Sequence, residues 1–423
     1  MRGTTRGKLL WFIVGSLVAL AMLLVSCGPA TTTTTEQQPT TTTQPTTTTT
    51  TTTTQQPTTT TTTTETKTTG PAALSPETPK YGGVFTRAWQ ADPNQFDEYW
   101  NIDWVMSYYT DTLLTGDWTK GPAGTNEYDW TESGMPLPFA MTGGLAESWD
   151  YPDPKTIILH IRKGVRYALN PDSEASRLVN GREFVADDVI KDWERDWTNP
   201  ASKQSTTVPR AGIAEVYAAD KYTVVLRWKS DPDPGREFES RLGWGVQLIV
   251  WHLKIMPWEV AKKYGDYRDW RNAVGTGAYM LVDYTPGSMI TFKRNPNYWK
   301  FDPLHPENRL PYVETSRTAI IPDPTTRQAA IRTGKVDWIW DVQRDDARRL
   351  IQTNPELGYV RYISSAVGGG VVAFRSNNPS QPWYKQEVRQ ALTMAVDYQG
   401  IVDGIFGGEA TYPAFPIAPR KVY

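Results

Sequence analysis

One cysteine, Cys27, and three histidines, His160, His252 and His305, are all that 423 residues offer for thiol or imidazole chemistry. A lone thiol has no partner for a disulfide. The histidines stand far apart, without a His-x-x-x-His pair or a cysteine nearby, so a preformed zinc site has little support. Nucleophile elbows of the Gly-x-Ser-x-Gly type and phosphate loops of the Gly-x-x-x-x-Gly-Lys type are missing. Gly275-Thr-Gly277 lacks the third glycine of a dinucleotide fingerprint, and Gly368-Gly-Gly370 precedes a strand pattern rather than a helix start. Positive charge is not in surplus either: 44 Lys and Arg face 46 Asp and Glu, for a formal net charge of −2. That balance argues against a nucleic-acid partner, which needs a basic face. No motif recommends an enzyme, no cofactor or metal is called for, and no catalytic residue is assigned.

The N-terminus is where the unusual sequence lies. Arg2, Arg6 and Lys8 precede a nearly unbroken apolar run from Leu9 to Leu24, the order of a secretory signal. The run closes in Leu24-Val-Ser-Cys27, which resembles a bacterial lipobox whose cysteine becomes the acylated first residue of the mature chain. The alternative is an uncleaved anchor, because the run approaches the roughly 17 residues of a short membrane span. Both readings place the remainder outside the cytoplasm, on a membrane. Thr31 to Thr69 is threonine interrupted only by Gln, Pro, Glu and Lys. It offers no large apolar groups for a core and reads as a disordered stalk, with a mean reach of about 35 Å as a flexible coil.

From residue 80 onward the composition is that of a globular head, with strand and helix patterns alternating. Tyr81–Trp89, Thr156–Arg162 and Thr223–Trp228 read as strands, and Gln90–Asp97 as a loop around Asp92-Pro93-Asn94. Trp104–Leu114 carries apolar residues at helical spacing. Ala186–Trp197 begins a helix whose first-turn Asp187 and Asp188 suit the positive end of its dipole better than they suit catalysis. Asn180-Gly181 reads as a hairpin turn, and Gly275 and Gly277 as positions of special backbone angle. Gln386–Phe406 reads as one helix with Val388, Ala391, Leu392, Ala395 and Val396 on its apolar face. Eighteen tryptophans, all but Trp11 in the head, point to a large aromatic core or a recognition surface.

A series of blocks in register carries a resemblance. Leu145-Ala-Glu-Ser-Trp149, Ile161-Arg-Lys-Gly-Val165, Asn180-Gly-Arg-Glu-Phe-Val-Ala-Asp-Asp-Val189, Val274-Gly-Thr-Gly-Ala-Tyr279, Lys293-Arg-Asn-Pro-Asn-Tyr-Trp299 and Gly334-Lys-Val-Asp337 follow the glycine-led strand Tyr81–Trp89. Ile321–Ile331 and Val388–Asp397 complete them. The head resembles the family 5 solute-binding proteins of ABC importers, which include dipeptide-, oligopeptide- and nickel-binding lipoproteins. The resemblance implies an α/β fold of the type II periplasmic-binding-protein kind, with two lobes and an extra domain inserted in the first. It further implies boundaries at 1–26 (signal), 27–79 (stalk), 80–114 (first lobe), 115–242 (insertion), 243–375 (first lobe resumed) and 376–423 (start of a second lobe that the chain leaves short).

By the same resemblance the loop after the first strand meets ligand, which assigns Trp89, Gln90 and Asp92, with Tyr108 and Tyr109 as an aromatic wall. Phe374 and Arg375 fall on a strand crossing between lobes, where an arginine is able to clamp a carboxylate; a simple interdomain salt bridge is the competing role. The partners implied are a small solute, foremost a short peptide, the permease subunits of an ABC importer, and a membrane reached through lipidated Cys27. An oligosaccharide ligand, favoured by the tryptophan excess, and a surface receptor or adhesin without transport stay open beside it.

Overall fold

The computed structural model describes residues 78–99, 104–121, 124–125, 127, 140–196, 199–202, 213–228, 254–360 and 378–410. Cys27, the threonine stalk, Phe374 and Arg375 lie outside these residues. No helix among those described is long and apolar enough to cross a membrane.

The central sheet has five strands in the order β11-β1-β10-β9-β8: β1 is Gly82–Trp89, β8 Tyr279–Thr285, β9 Met289–Arg294, β10 Val313–Ile320 and β11 Trp338–Ile339. β1 runs parallel to both neighbours, with Trp89 opposite Ile320 and Arg87 opposite Trp338. The strand nearest the N-terminus of the head is thus sandwiched between two strands joined by helix α5, Pro324–Arg332. β8, β9 and β10 are antiparallel. Alternation explains β9, where Ile290 and Phe292 are fully buried between partly buried or exposed neighbours. The β8–β9 turn is Thr285-Pro-Gly-Ser288, closed by Ser288 N–H to Thr285 O at 3.1 Å, with Gly287 at φ +69°. Proline and then glycine at the two central positions is type II turn chemistry.

A second sheet, β4-β5-β7-β6, is antiparallel throughout. β4 is Ala146–Asp153, β5 Thr156–Ile161, β6 Ile213–Asp220 and β7 Thr223–Trp228. All of it falls in sequence between β1 and β8, as does the small pair β2 (Leu114–Gly116) and β3 (Met141–Gly143). Its two inner strands, β5 and β7, are the apolar runs that the sequence marks as strands. One contiguous core joins the sheets, running from Ile157, Leu159 and Leu226 through Tyr109, Tyr167 and Tyr267 to Ile290 and Phe292.

Four local expectations are corrected. The helix expected over Trp104–Leu114 is a single turn, α1, Met106–Tyr109. Thr110 is already extended, and its hydroxyl donates back to the Met106 carbonyl at 2.8 Å. Asn180-Gly181 is not a hairpin turn but the end of helix α2, Glu174–Val179, with Asn180 as a left-handed cap at φ 54°. The same tolerance of positive φ that suits a hairpin suits this cap. Gly275 and Gly277 are not at positive φ; a Cβ would lie 2.0 Å from Tyr109 O at Gly275 and 2.5 Å from Tyr109 C at Gly277. Close approach to α1 is what demands glycine there, and Gly277 N–H donates to Tyr109 O at 3.0 Å.

Helix α6 is Arg344–Thr353, and beyond it the stretch Gln386–Phe406 is the fourth expectation corrected. It is two helices, α7 (Gln386–Met394) and α8 (Tyr398–Phe406), broken where Asp397 caps α8 by accepting from Gly400 N–H at 2.8 Å. No residue of α7 is buried, and Leu392, Met394 and Ile405 are 42, 81 and 69% exposed.

Candidate functional site

Parallel strands in an open α/β sheet present ligands at their carboxyl ends, where neighbouring connections diverge. Here those ends are Trp89 of β1, Ile320 of β10 and Ile339 of β11, and the connection from β10 through α5 to β11 passes β1. An aromatic ladder crosses this edge. Trp89 lies 6.5 Å from Trp338 with ring planes only 6° apart, and 5.3 Å from Trp104; Trp338 in turn lies 5.6 Å from Trp340. The inner end continues through Tyr108, which stacks on buried Phe292 at 4.3 Å. The outer end opens to solvent at Trp340, 41% exposed.

Arg87 holds the ladder from behind. Its guanidinium carbon is 3.9 Å from the Trp104 ring centre, 5.1 Å from Trp89 and 5.0 Å from Tyr108, while Nε donates to Thr318 Oγ1 at 2.9 Å. A cation over three π faces orients the rings and contributes about 1–2 kcal/mol. The residue after Trp340, Asp341, has φ +58°, so the chain turns sharply as it leaves β11.

The anticipated residues separate into different places. Trp89 and Tyr108 belong to the ladder, and Gln90 is exposed beside it. Asp92 is turned to the scaffold: both carboxylate oxygens accept from Gly287 N–H, at 3.0 and 2.9 Å, tying the loop to the β8–β9 turn. Tyr109 is a core residue, 1% exposed, with its hydroxyl donating to Phe96 O at 3.1 Å. Arg87, Trp104, Trp338 and Trp340 were not anticipated. The available signals were the alternation Trp338-Ile-Trp340 directly after Gly334-Lys-Val-Asp337, and an arginine two residues before Trp89 on the same strand face.

Elsewhere, charge is gathered in the interior. Helix α3, Ala186–Asp196, places Asp188, Asp192 and Asp196 on its buried face. Asp188 receives two bonds from Arg182, at 2.6 and 2.9 Å, and one from Val185 N–H at 2.9 Å. Arg182 also pairs with Glu259, so the guanidinium joins α3 to α4, Trp258–Tyr264. Arg195 bonds Asp97 at 2.6 Å and Asp196 at 2.7 Å, fixing the loop after β1 to the same helix. Glu98, Asp192 and Asp196 offer carboxylate oxygens within 4.8 Å of one another, the grouping among the described residues able to gather round a cation. Burial raises all three carboxyls, Asp196 to about 7, and their mutual repulsion adds to the effect on Glu98 and Asp192. Protons satisfy such a group as well as a metal does, and Arg195 and buried Lys254 supply further compensation. His160 pairs with Asp150 on an exposed strand at 2.8 Å.

Comparison with known proteins accords with this architecture. Residues 140–421 match the model for the middle region of bacterial extracellular solute-binding proteins, family 5. Di/tripeptide-binding protein 1 of Pseudomonas aeruginosa is 28% identical over 293 residues, covering 66% of this chain and 50% of that protein. A probable ABC transporter periplasmic-binding protein, SapA of Escherichia coli, is 25% identical over 83% of this chain and 60% of its own length. Among solved structures, Haemophilus influenzae OppA in complex with the peptide RPPGFSPFR superposes with a TM-score of 0.55 at 21% identity, over 81% of this chain and 61% of that one. The chain spans roughly half to three-fifths of the length of these relatives. The α/β fold is that of the type II periplasmic binding proteins, and with more than half of its residues matching the family model, the chain belongs to family 5 of the bacterial extracellular solute-binding proteins.

Proposed function

We propose that the protein captures a short peptide outside the cytoplasm and delivers it to the permease of an ABC importer, with no covalent chemistry of its own. The observation that carries the reading is the indole ladder at the carboxyl end of β1, β10 and β11. It is half-exposed, preorganised by Arg87, and placed where this sheet topology presents ligands. Relatives named for di- and tripeptides, and a fold neighbour holding a nine-residue peptide, make peptides the first ligand class to test. Isothermal titration of the full chain with di-, tri- and nonapeptide mixtures should give saturable binding. Heats no larger than buffer across all three would remove the peptide assignment.

The ladder itself favours a second ligand. Parallel indoles with an open outer face suit the apolar face of a sugar ring, so an oligosaccharide panel belongs in the same experiment. In this account Cys27 is diacylated and the threonine stalk lets the head leave the membrane surface. Residues 115–242 act as the inserted domain, and Phe374 and Arg375 join the residues that meet the ligand. Cys27→Ser should move the protein from the detergent phase to the aqueous phase in a partition assay, and retention in the detergent phase would reject lipidation.

A further inference from the structure

A second opening lies away from the ladder. A cleft of about 860 Å³ lies by the amino end of the central strands, lined by the β2–β3 pair, the turn after β5 and the segment from Asn297 to Arg309. Tyr81, at the start of β1, donates its hydroxyl to Arg309 O at 2.8 Å, and Gly82 N–H donates to Tyr312 O. The length of β1, roughly 20 Å or more at 3.3 Å per residue, therefore separates the cleft from Trp89. The volume is within the range of small-molecule sites.

Its lining contradicts the acidic balance of the chain. Arg162, Lys163, Arg166, Lys300 and Arg309 face the opening against only Asp117 and Glu147. Asp117 is already engaged, accepting from the Thr119 N–H and hydroxyl. One of the cations is held in place and a second is partly withdrawn from solvent. Arg162 donates Nε to Gly144 O at 3.1 Å and lies 4.7 Å over the Trp299 ring, which leaves both Nη nitrogens without a hydrogen-bond acceptor among the described residues. Lys300, half-buried beside Trp299, has no hydrogen bond or ion pair for its ammonium among those residues. Desolvation lowers its proton affinity and the positive charge of Arg162 lowers it further, against attraction from Asp111 and Asp117. Clustered, partly desolvated cations destabilise one another, and an anion between them relieves that repulsion. Trp299, whose Nε1 donates to Asp111 at 2.9 Å, provides a rigid wall.

We propose that this cleft is a second binding site, for a small oxyanion bearing more than one negative charge, such as a diphosphate, clamped between Arg162 and Lys300. Arginine supplies paired donors for two oxygens and lysine a point charge. The proposal does not depend on the peptide reading, since the two sites lie at opposite ends of β1.

The test is calorimetric titration of the full chain with inorganic pyrophosphate, with sodium chloride matched for ionic strength as control. Saturable one-to-one binding is expected, weakened about tenfold by Lys300→Gln or Arg162→Gln, the loss of one charge-assisted contact. Exposed Glu147→Gln should instead strengthen binding by removing a like charge, so the result does not hinge on a variant that folds poorly. Flotation with phosphatidylglycerol vesicles distinguishes the source of the anion: wild-type recovery above that of Lys300→Gln marks a lipid headgroup, and equal recovery alongside pyrophosphate binding marks a free anion. No saturable pyrophosphate binding, or affinity unchanged in all three variants, overturns the proposal.

Discussion

Two groups of polar and aromatic side chains, one at the end of the central sheet and one along α3, use cationic residues in opposite ways. At the ladder, Arg87 is applied to the backs of three aromatic rings and leaves Trp340 facing solvent. Along α3, Arg182 and Arg195 are consumed by Asp188, Glu259, Asp97 and Asp196, and little of the assembly reaches the surface. Paired, buried charge along α3 thus serves the scaffold of this head. The proposed ligand face is instead an oriented, half-open aromatic surface.

Breaking the scaffold side should have the largest effect. Arg182→Ala leaves Asp188 and Glu259 without their shared cation, and the loss of a buried partner costs about 3–5 kcal/mol. Urea denaturation should show it, and a loss below about 1 kcal/mol would mean that α2, α3 and α4 are held chiefly by apolar packing.

Next comes pH. The folded-state affinity of Asp196 for a proton is raised from the usual carboxylate range to about 7, with burial as the main cause. Between about pH 4 and 7 the folded state then keeps a proton that the unfolded chain releases, so stability should fall as pH rises through that window. At about 1.4 kcal/mol for each tenfold change in proton affinity, a roughly thousandfold rise corresponds to a drop on the order of 4 kcal/mol. Asp196→Asn should make the decline between about pH 4 and 7 shallower, with Glu98 and Asp192 accounting for the part that remains. A wild-type melting temperature that climbs steadily over the same range would show that the carboxyls are ionised in the folded protein.

The ladder side should respond more mildly in stability. Arg87→Met keeps the stem and removes the charge over Trp89, Trp104 and Tyr108, a loss of about 1–2 kcal/mol, and should shift indole emission. Unaltered emission would mean that the rings are set by packing alone. Smallest of all is the exposed face of α7 and α8. Met394→Glu and Ile405→Glu should change stability by less than about 0.5 kcal/mol while reducing self-association in sedimentation velocity. Equal association in wild type and variant would show that this face is not what the molecules share.

Local physics sets how much of this head is legible in its sequence. β5 and β7 are legible because the inner strands of a sheet are near-continuous apolar runs, and β1 because a stretch opened by Gly82-Gly83 runs into the turn residues Asp92-Pro93-Asn94. Asn180-Gly181 was misread because one conformational preference serves both a hairpin and a helix cap. Gly275 and Gly277 show a need for glycine without showing that the Tyr109 backbone creates it. The break at Asp397 rests on a single cap bond inside an otherwise helical pattern. Trp338 and Trp340 were missed for a different reason. β11 is two residues long and gains its meaning only by pairing with Arg87 and Ala88, some 250 positions earlier, a juxtaposition that no local pattern contains.

The central claim, that the indole ladder is the ligand face, is tested most directly by tryptophan fluorescence titration of the full chain with tripeptides and oligosaccharides, in wild type and in Trp338→Ala and Trp340→Ala. The account predicts a saturable emission change in the wild type, with affinity reduced about tenfold or more in each variant and Trp340→Ala melting within a few degrees of wild type. Ligand affinity equal in wild type and both variants would contradict it.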